Sequence, residues 1–322
     1  MVYKKGDEIM RCSPFSYVVK ENYRDKVCDF CFSCVETKTW KCSRCCQIYY
    51  CGRECQRSSW MEIHKHECKY LYRLDSKDPP QNLLFIVRIL CKLKYNGGYS
   101  KEVSMPNGGY RRFDDVAYFK DNILLDPEWK NTFFEYFSII KTKLGGVLET
   151  NESEVLNIFT KILTNSVFMF NEKLLNFGTC ISLEFSVRNH SFTPNAFYLW
   201  IGRKFVVKAL CDIANFDDVR VAYKGNLGSL RQEWLQNQHI FDCNCDECTN
   251  DPFNRKDVEL TCPYCPKYKH LLDGTKCTNC KKEVDSFRYY QLKERLNRLE
   301  CEMLKERLAY FLKKLKFFHS FD

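Results

Sequence analysis

Apolar and polar residues follow two rhythms along this chain, and each predicts its own kind of element. Near the start, residues 8–11 and 16–19 are short β-like runs separated by Pro14, which predicts a small sheet edge. Residues 56–74 predict a helix stopped by Pro79 and Pro80, and the apolar segment 82–93 predicts another. The stretch 96–109 is Gly-rich and predicts no regular structure. Two amphipathic helices follow, marked by Trp129, Phe133, Phe134, Phe137 and Ile140 and then by Val155, Ile158, Phe159, Ile162 and Leu163. Their aromatic stripe reads as core packing. After Gly178 the rhythm changes to that of strands: 197–201 and 204–209 form a hairpin through Gly202 and Arg203, and 219–223 a further strand. Residues 286–318 carry one long amphipathic pattern whose Leu stripe needs cover from the chain's own body. The mixture predicts an α+β fold with small sheets.

With 322 residues there is room for two or three domains. The opening, MVYKKGDEIM, lacks the apolar core of a signal peptide. The longest apolar segment, 83–91, contains Arg88 and falls far short of the roughly 20 residues that span a bilayer. The expectation is a soluble intracellular protein without a membrane partner. In a reducing compartment, 21 cysteines point to metal and away from a disulfide scaffold. The formal charge of +9 falls to about +3 once metal-bound cysteines are counted as thiolates. Basic residues bunch only at Lys313, Lys314 and Lys316, so nucleic acid is not expected as a direct ligand.

The densest chemistry lies in residues 28–68, which carry Cys28-x2-Cys31, Cys42-x2-Cys45, Cys51-x3-Cys55 and His64-x3-Cys68. Tetrahedral zinc takes four N or S donors at about 2.0 to 2.3 Å, and a Cys-x-x-Cys turn presents two thiolates at once. His64 and Cys68, four apart, share one face of a helix. With Tyr50, Gln56 and Trp60 beside these ligands, the segment is similar to a MYND finger. That resemblance implies a cross-brace: Cys28, Cys31, Cys51 and Cys55 on one zinc, and Cys42, Cys45, His64 and Cys68 on the other. Cys34 and Cys46 are left as spare thiols. The resemblance also implies a protein partner, typically a short proline-containing peptide.

Further along come Gly178, Asn189-His190-Ser191, Pro194-Asn195, Asp217-Asp218, Tyr223 and Cys243-x-Cys245-x2-Cys248. Taken singly, Asn189, Pro194 and Asn195 read equally well as turn residues. Their order beside the finger resembles the SET half of the SET-and-MYND (SMYD) methyltransferase family, over residues 4–250. The resemblance implies methyl transfer from S-adenosylmethionine to a lysine of a histone or non-histone protein. An ammonium is no nucleophile, so the target lysine must lose its proton in a desolvated channel. Tyr223 matches the tyrosine that aligns amine and methyl, and Phe241 a channel aromatic able to hold a cation. Asn165, Asn189 and His190 match positions that hold the cofactor. Three departures stand out. No Gly-x-Gly precedes Cys28, where the family has a glycine strand against the cofactor, so weak cofactor binding is expected. Phe192 replaces a cysteine, which leaves Cys243, Cys245 and Cys248 with water, another residue or no metal at all. Of the family's C-terminal helical lobe, only the 286–318 helix is represented.

Cys262-x2-Cys265-x11-Cys277-x2-Cys280, with Pro263 and Gly274 at turn positions, reads as a zinc ribbon. The expected division is the first part of a split SET domain (1–27), an inserted MYND finger (28–68), a helical SET insert (69–176), the SET core (177–242), a post-SET cysteine segment (243–250), the ribbon-like segment (251–284) and a terminal helix (285–322). Two functions compete. One is a SMYD-type lysine methyltransferase acting in nucleus and cytoplasm; the other is a degenerate SET protein that serves as an interaction adaptor through its finger.

Overall fold

The computed structural model describes residues 3–35, 39–76, 78–95, 97–118, 124–170, 176–186, 189–191, 194–221, 272–273, 276–277 and 280–282. Strands β1 (Glu8–Cys12) and β2 (Ser16–Val19) form on either side of Pro14, which has no N–H to extend a ladder. The short strands β3 (Trp40–Lys41) and β4 (Tyr49–Tyr50) pair across the next turn. The chain is then helical in three pieces: α1 (Arg53–Ser59), a π-helical turn over Trp60–His64, and α2 (Lys65–Arg73). Beyond Pro79 and Pro80, α3 (Gln81–Tyr95) buries each of residues 83–91. A helix buried all round belongs to the core.

The Gly-rich stretch expected to lack regular structure contains a small hairpin. Strand β5 (Val103–Ser104) pairs with β6 (Tyr110–Arg111), and the Met105 N–H closes the turn on the Gly109 carbonyl at 2.7 Å. Gly108 adopts a φ of +90° there, so the glycines supply the turn rather than looseness. Helix α4 (Pro127–Ile139) starts at Asp126, whose carboxylate accepts from the N–H groups of Glu128 and Trp129, and α5 (Glu152–Asn165) starts at Asn151, which accepts from that of Glu154. Their stripes meet, with the Phe133 and Phe159 rings 5.8 Å apart. Phe134, counted in the stripe, is 44% exposed, because one residue along a helix is a turn of about 100° away from Phe133.

Helix ends at Asn165, and β7 (Val167–Phe170) is a strand inside the segment expected to be helical. It leads to β8 (Asn176–Ile181), β9 (Asn189–His190), β10 (Ala196–Ile201), β11 (Lys204–Ala209) and β12 (Arg220–Val221). Two three-stranded antiparallel sheets result, in the orders β1-β11-β10 and β2-β8-β7. The predicted hairpin is present: Ile201 pairs with Lys204, and Gly202 takes the positive φ of +55° that the first position of a tight turn reserves for glycine. Gly178 faces Val19, and a Cβ there would lie 2.5 Å from the Val18 carbonyl oxygen. Close sheet approach fixes that glycine.

One continuous core joins the 28–74 segment, α3, α4, α5, β2 and the end of β8, and in it Cys28, Cys42, Cys45 and Cys68 are packed with Leu84, Ile86, Phe133 and Phe159. The architecture is α+β, helices with small antiparallel sheets. A second compact unit takes most of the chain past Val221; its described residues include a short ladder between β13 (Leu272–Asp273) and β14 (Lys276–Cys277). No helix among the described residues is long and apolar enough to cross a membrane. The expected 286–318 helix lies outside the described residues.

Candidate metal centre

Each Cys-x-x-Cys pair of the 28–68 segment is a tight knuckle, and the two knuckles share one backbone device. The N–H of Phe32 bonds the Cys28 carbonyl at 3.0 Å, and the N–H of Cys46 bonds that of Cys42 at 2.9 Å. Phe32 and Cys46 both take positive φ, 66° and 55°. The left-handed residue after each second cysteine folds the chain back, so both thiols point the same way. Cys51 and Cys55 flank the start of α1, while the π-helical turn re-aims His64 relative to Cys68 in α2.

The eight side chains fall into two groups of four: Cys28, Cys31, Cys51 and Cys55, and Cys42, Cys45, His64 and Cys68. In the first, Cys31 Sγ lies 3.7 Å from Cys51 Sγ, and Cys51 Sγ 3.4 Å from Cys55 Sγ. In the second, Cys42 Sγ lies 3.7 Å from Cys68 Sγ, and Cys45 Sγ 3.6 Å from His64 Nε2. A tetrahedron with metal–sulfur bonds of about 2.3 Å has sulfur–sulfur edges of about 3.8 Å, so the donors are spaced for one ion per group. Cys34 and Cys46 are exposed and stand outside both groups.

Four thiols this close cannot all ionise unaided. The hydrogen bond between Cys28 and Cys31 draws the Cys31 pKa down to about 4 and pushes that of Cys28 up. Likewise, the bond between Cys42 and Cys45 lowers the first and raises the second. A divalent cation removes the conflict by stabilising every thiolate at once. Burial works against a charged His64, yet hydrogen bonds with Cys42, Cys68 and Glu67 overcome it and carry its pKa to about 11. An incoming cation takes the place of that proton.

The second group is wholly buried and has an outer layer of charge. His64 Nδ1 lies 2.9 Å from Glu67 Oε1; an ionised carboxylate only accepts, so Nδ1 carries the hydrogen and Nε2 offers its lone pair to the ligand group. Arg88 Nε donates to Glu67 Oε2 and a terminal nitrogen to Oε1, both at 2.8 Å. The same guanidinium donates to Asp29 Oδ1 and Oδ2 at 3.1 Å and to the Tyr17 carbonyl at 3.0 Å, with the Tyr17 ring 5.1 Å from its carbon. Burial alone would raise the Glu67 carboxyl, but Arg88 and His64 hold it near 2. In Asp29, burial outweighs Arg88 and the shift is upward. Glu67 is held by hydrogen bonds with both Arg88 and His64, whereas Asp29 has those with Arg88 alone and the Glu67 carboxylate pushing it up, which accounts for the opposite signs.

Asp29, Glu67 and Arg88 were not singled out as site residues from the sequence. Two signals existed: Arg88 is the only charge in the apolar segment 83–91, and Glu67 stands one turn after His64. Among the other candidates, Asn165 ends α5, where its amide donates to the carbonyls of Ala117 at 2.6 Å and Lys161 at 3.1 Å. Beside it, the Ser166 hydroxyl is buried with no partner among the described residues. Asn189 and His190 form β9, of whose side chains nothing is described. Tyr223, Phe192, Phe241, Cys243, Cys245, Cys248, Cys262 and Cys265 lie outside the described residues. Cys277 ends β14 and Cys280 follows in a turn, so the structure describes only the hairpin of the expected ribbon.

A family model described as the MYND finger matches residues 28–68. With the two cysteine groups, it supports zinc binding. The chain is 26% identical over 316 residues to the N-lysine methyltransferase SMYD2 of Sus scrofa, covering 95% of this chain and 70% of that protein. It is 25% identical over 281 residues to the histone-lysine N-methyltransferase ASHR1 of Arabidopsis thaliana, 87% of this chain and 56% of the relative. Against the histone-lysine N-methyltransferase SMYD3 of Homo sapiens it is 26% identical over 250 residues, 76% of this chain and 56% of the relative. The chain thus spans between 56% and 70% of the length of these curated relatives. The similarity runs over nearly the whole chain and not the finger alone, and together with the finger it supports a protein of the SET-and-MYND (SMYD) family.

Proposed function

We propose that this chain is a zinc-binding, S-adenosylmethionine-dependent protein-lysine methyltransferase acting on a histone or non-histone protein. The observation that carries the reading is the similarity to N-lysine methyltransferase SMYD2 over 95% of the chain, finger and flanking strands together. One ion sits among Cys28, Cys31, Cys51 and Cys55 and another among Cys42, Cys45, His64 and Cys68, for which the donor spacing fits. Cys262, Cys265, Cys277 and Cys280 hold a third, and Cys243, Cys245 and Cys248 an incomplete site. The finger presents a surface to protein partners, including proline-containing peptides.

Asn165, Asn189 and His190 hold the cofactor, and the Ser166 hydroxyl at the end of α5, without a partner among the described residues, gives a bound polar group something to meet. When bound, the cofactor supplies an electrophilic methyl group. The chain's part is to bring a neutral amine to it: an apolar channel with Phe241 disfavours the ammonium, and the Tyr223 hydroxyl orients the nitrogen lone pair. Asn195 steadies the approach to Tyr223. Its side chain donates to the Asp218 carbonyl at 2.8 Å and accepts from the Arg220 N–H at 2.7 Å, fixing the backbone just upstream.

Calorimetry with S-adenosylmethionine, followed by Tyr223→Phe, tests the reading. Cofactor binding that survives the substitution while methyl transfer is lost is the expected result. A chain that binds no cofactor, but whose finger resonances shift with a proline-containing peptide, would be an adaptor instead.

A further inference from the structure

Arg88 belongs to α3, outside the 28–68 finger, yet it spends all five of its N–H donors on residues tied to the metal-ligand groups and on β2. Its two carboxylate partners are each next in sequence to a ligand: Asp29 follows Cys28 of one group, and Glu67 precedes Cys68 of the other. Glu67 also orients His64. Zinc with three thiolates and a neutral imidazole carries a net charge of −1, so a bare carboxylate beside it would be repelled. The guanidinium between Glu67 and Asp29 makes that carboxylate tenable, and its fork geometry fits two carboxylates at once, which a lysine could not do.

We propose that Arg88 is a positioning residue of the finger's metal centre, fixing His64 through Glu67 and the Cys28 backbone through Asp29. A helix of the body thereby governs how tightly the finger keeps its ions. The proposal rests on the zinc reading above and adds two consequences. The Cys42 group, touched through its own ligand His64, depends on Arg88 strongly. The Cys28 group, touched only through the neighbouring residue Asp29, depends on it weakly.

The full-length chain loaded with cadmium-113 separates the two cases, because an all-thiolate site and a site with one imidazole give distinct resonances. Chelator-driven loss is followed for each resonance in the wild type, Glu67→Gln, Arg88→Lys and Arg88→Met. The expected result is loss from the His64-containing site about 10–100-fold faster in Glu67→Gln and Arg88→Met, with Arg88→Lys not rescuing it, and loss from the all-cysteine site changed by much less. In the same variants, the His64 Nδ1 proton should exchange faster with solvent, which a general loosening of packing would not single out. If Arg88→Met fails to fold, Glu67→Gln, which keeps the side chain's size, still decides. Equal acceleration at both sites, or none at either, would overturn the proposal while leaving the zinc reading intact. A wild-type chain with no cadmium resonance from the His64-containing site would instead sink the zinc reading.

Discussion

Arg203, at the tip of the β10–β11 hairpin, places one terminal nitrogen 2.8 Å from both carboxylate oxygens of Glu62 in the finger's π-helical turn. Its guanidinium carbon also lies 3.8 Å from the centre of the Phe30 ring. The finger is therefore held to the sheet by a second arginine, one at the surface where Arg88 is buried. The ion pair is partly exposed and so worth at most about 1 kcal/mol, with a similar amount from the cation over the ring. Arg203→Ala is expected to cost about 1–2 kcal/mol in denaturant unfolding and Glu62→Ala less, since it leaves the ring contact. Equal losses would mean that the Phe30 contact contributes nothing.

Gly178→Ala should be severe. The new methyl would meet the Val18 carbonyl oxygen at 2.5 Å, so β2 and β8 must separate or shift. A cost of about 2–4 kcal/mol is expected, read as a drop in melting temperature. A drop of a degree or less would show that the strands yield easily.

Lys92 lies 5.0 Å from the centre of the Phe15 ring, and burial lowers its pKa from 10.5 to about 8. A depressed amine penalises folding fully below pH 8, where both states carry the proton. Between pH 8 and 10.5 the unfolded chain keeps that proton and the folded chain does not, so stability rises with pH. The relief amounts to about 3 kcal/mol. Lys92→Met should be more stable at neutral pH and should lose this upward slope. A slope unchanged by the substitution would place its origin elsewhere.

Removing metal should reach past the finger. Cys28, Cys42, Cys45 and Cys68 share one core with α3, and Arg88 in α3 completes the charge layer around His64. Chelation is therefore expected to speed hydrogen exchange in the α3 amides as well as in residues 28–68. Faster exchange confined to the finger would show that it opens on its own.

The sequence by itself determined the local pieces: the strands either side of Pro14, the turn at Gly202, α3 between Pro80 and Tyr95, and the knuckles whose spacing marks eight ligands. These follow from short-range causes, namely alternation, helical period, positive-φ turns and the reach of a Cys-x-x-Cys loop. Tertiary structure alone decided what those pieces meet. That β1 pairs with β11, far along the chain, and that Gly178 must admit the Val18 carbonyl, depends on strands distant in sequence. The Gly-rich hairpin was missed because the same glycines suit a turn or a loose loop until partner strands choose. The Asp29–Arg88–Glu67–His64 chain was out of reach for a related reason. A buried charge is tolerable only beside its partners, and those partners come from separate segments that folding brings together.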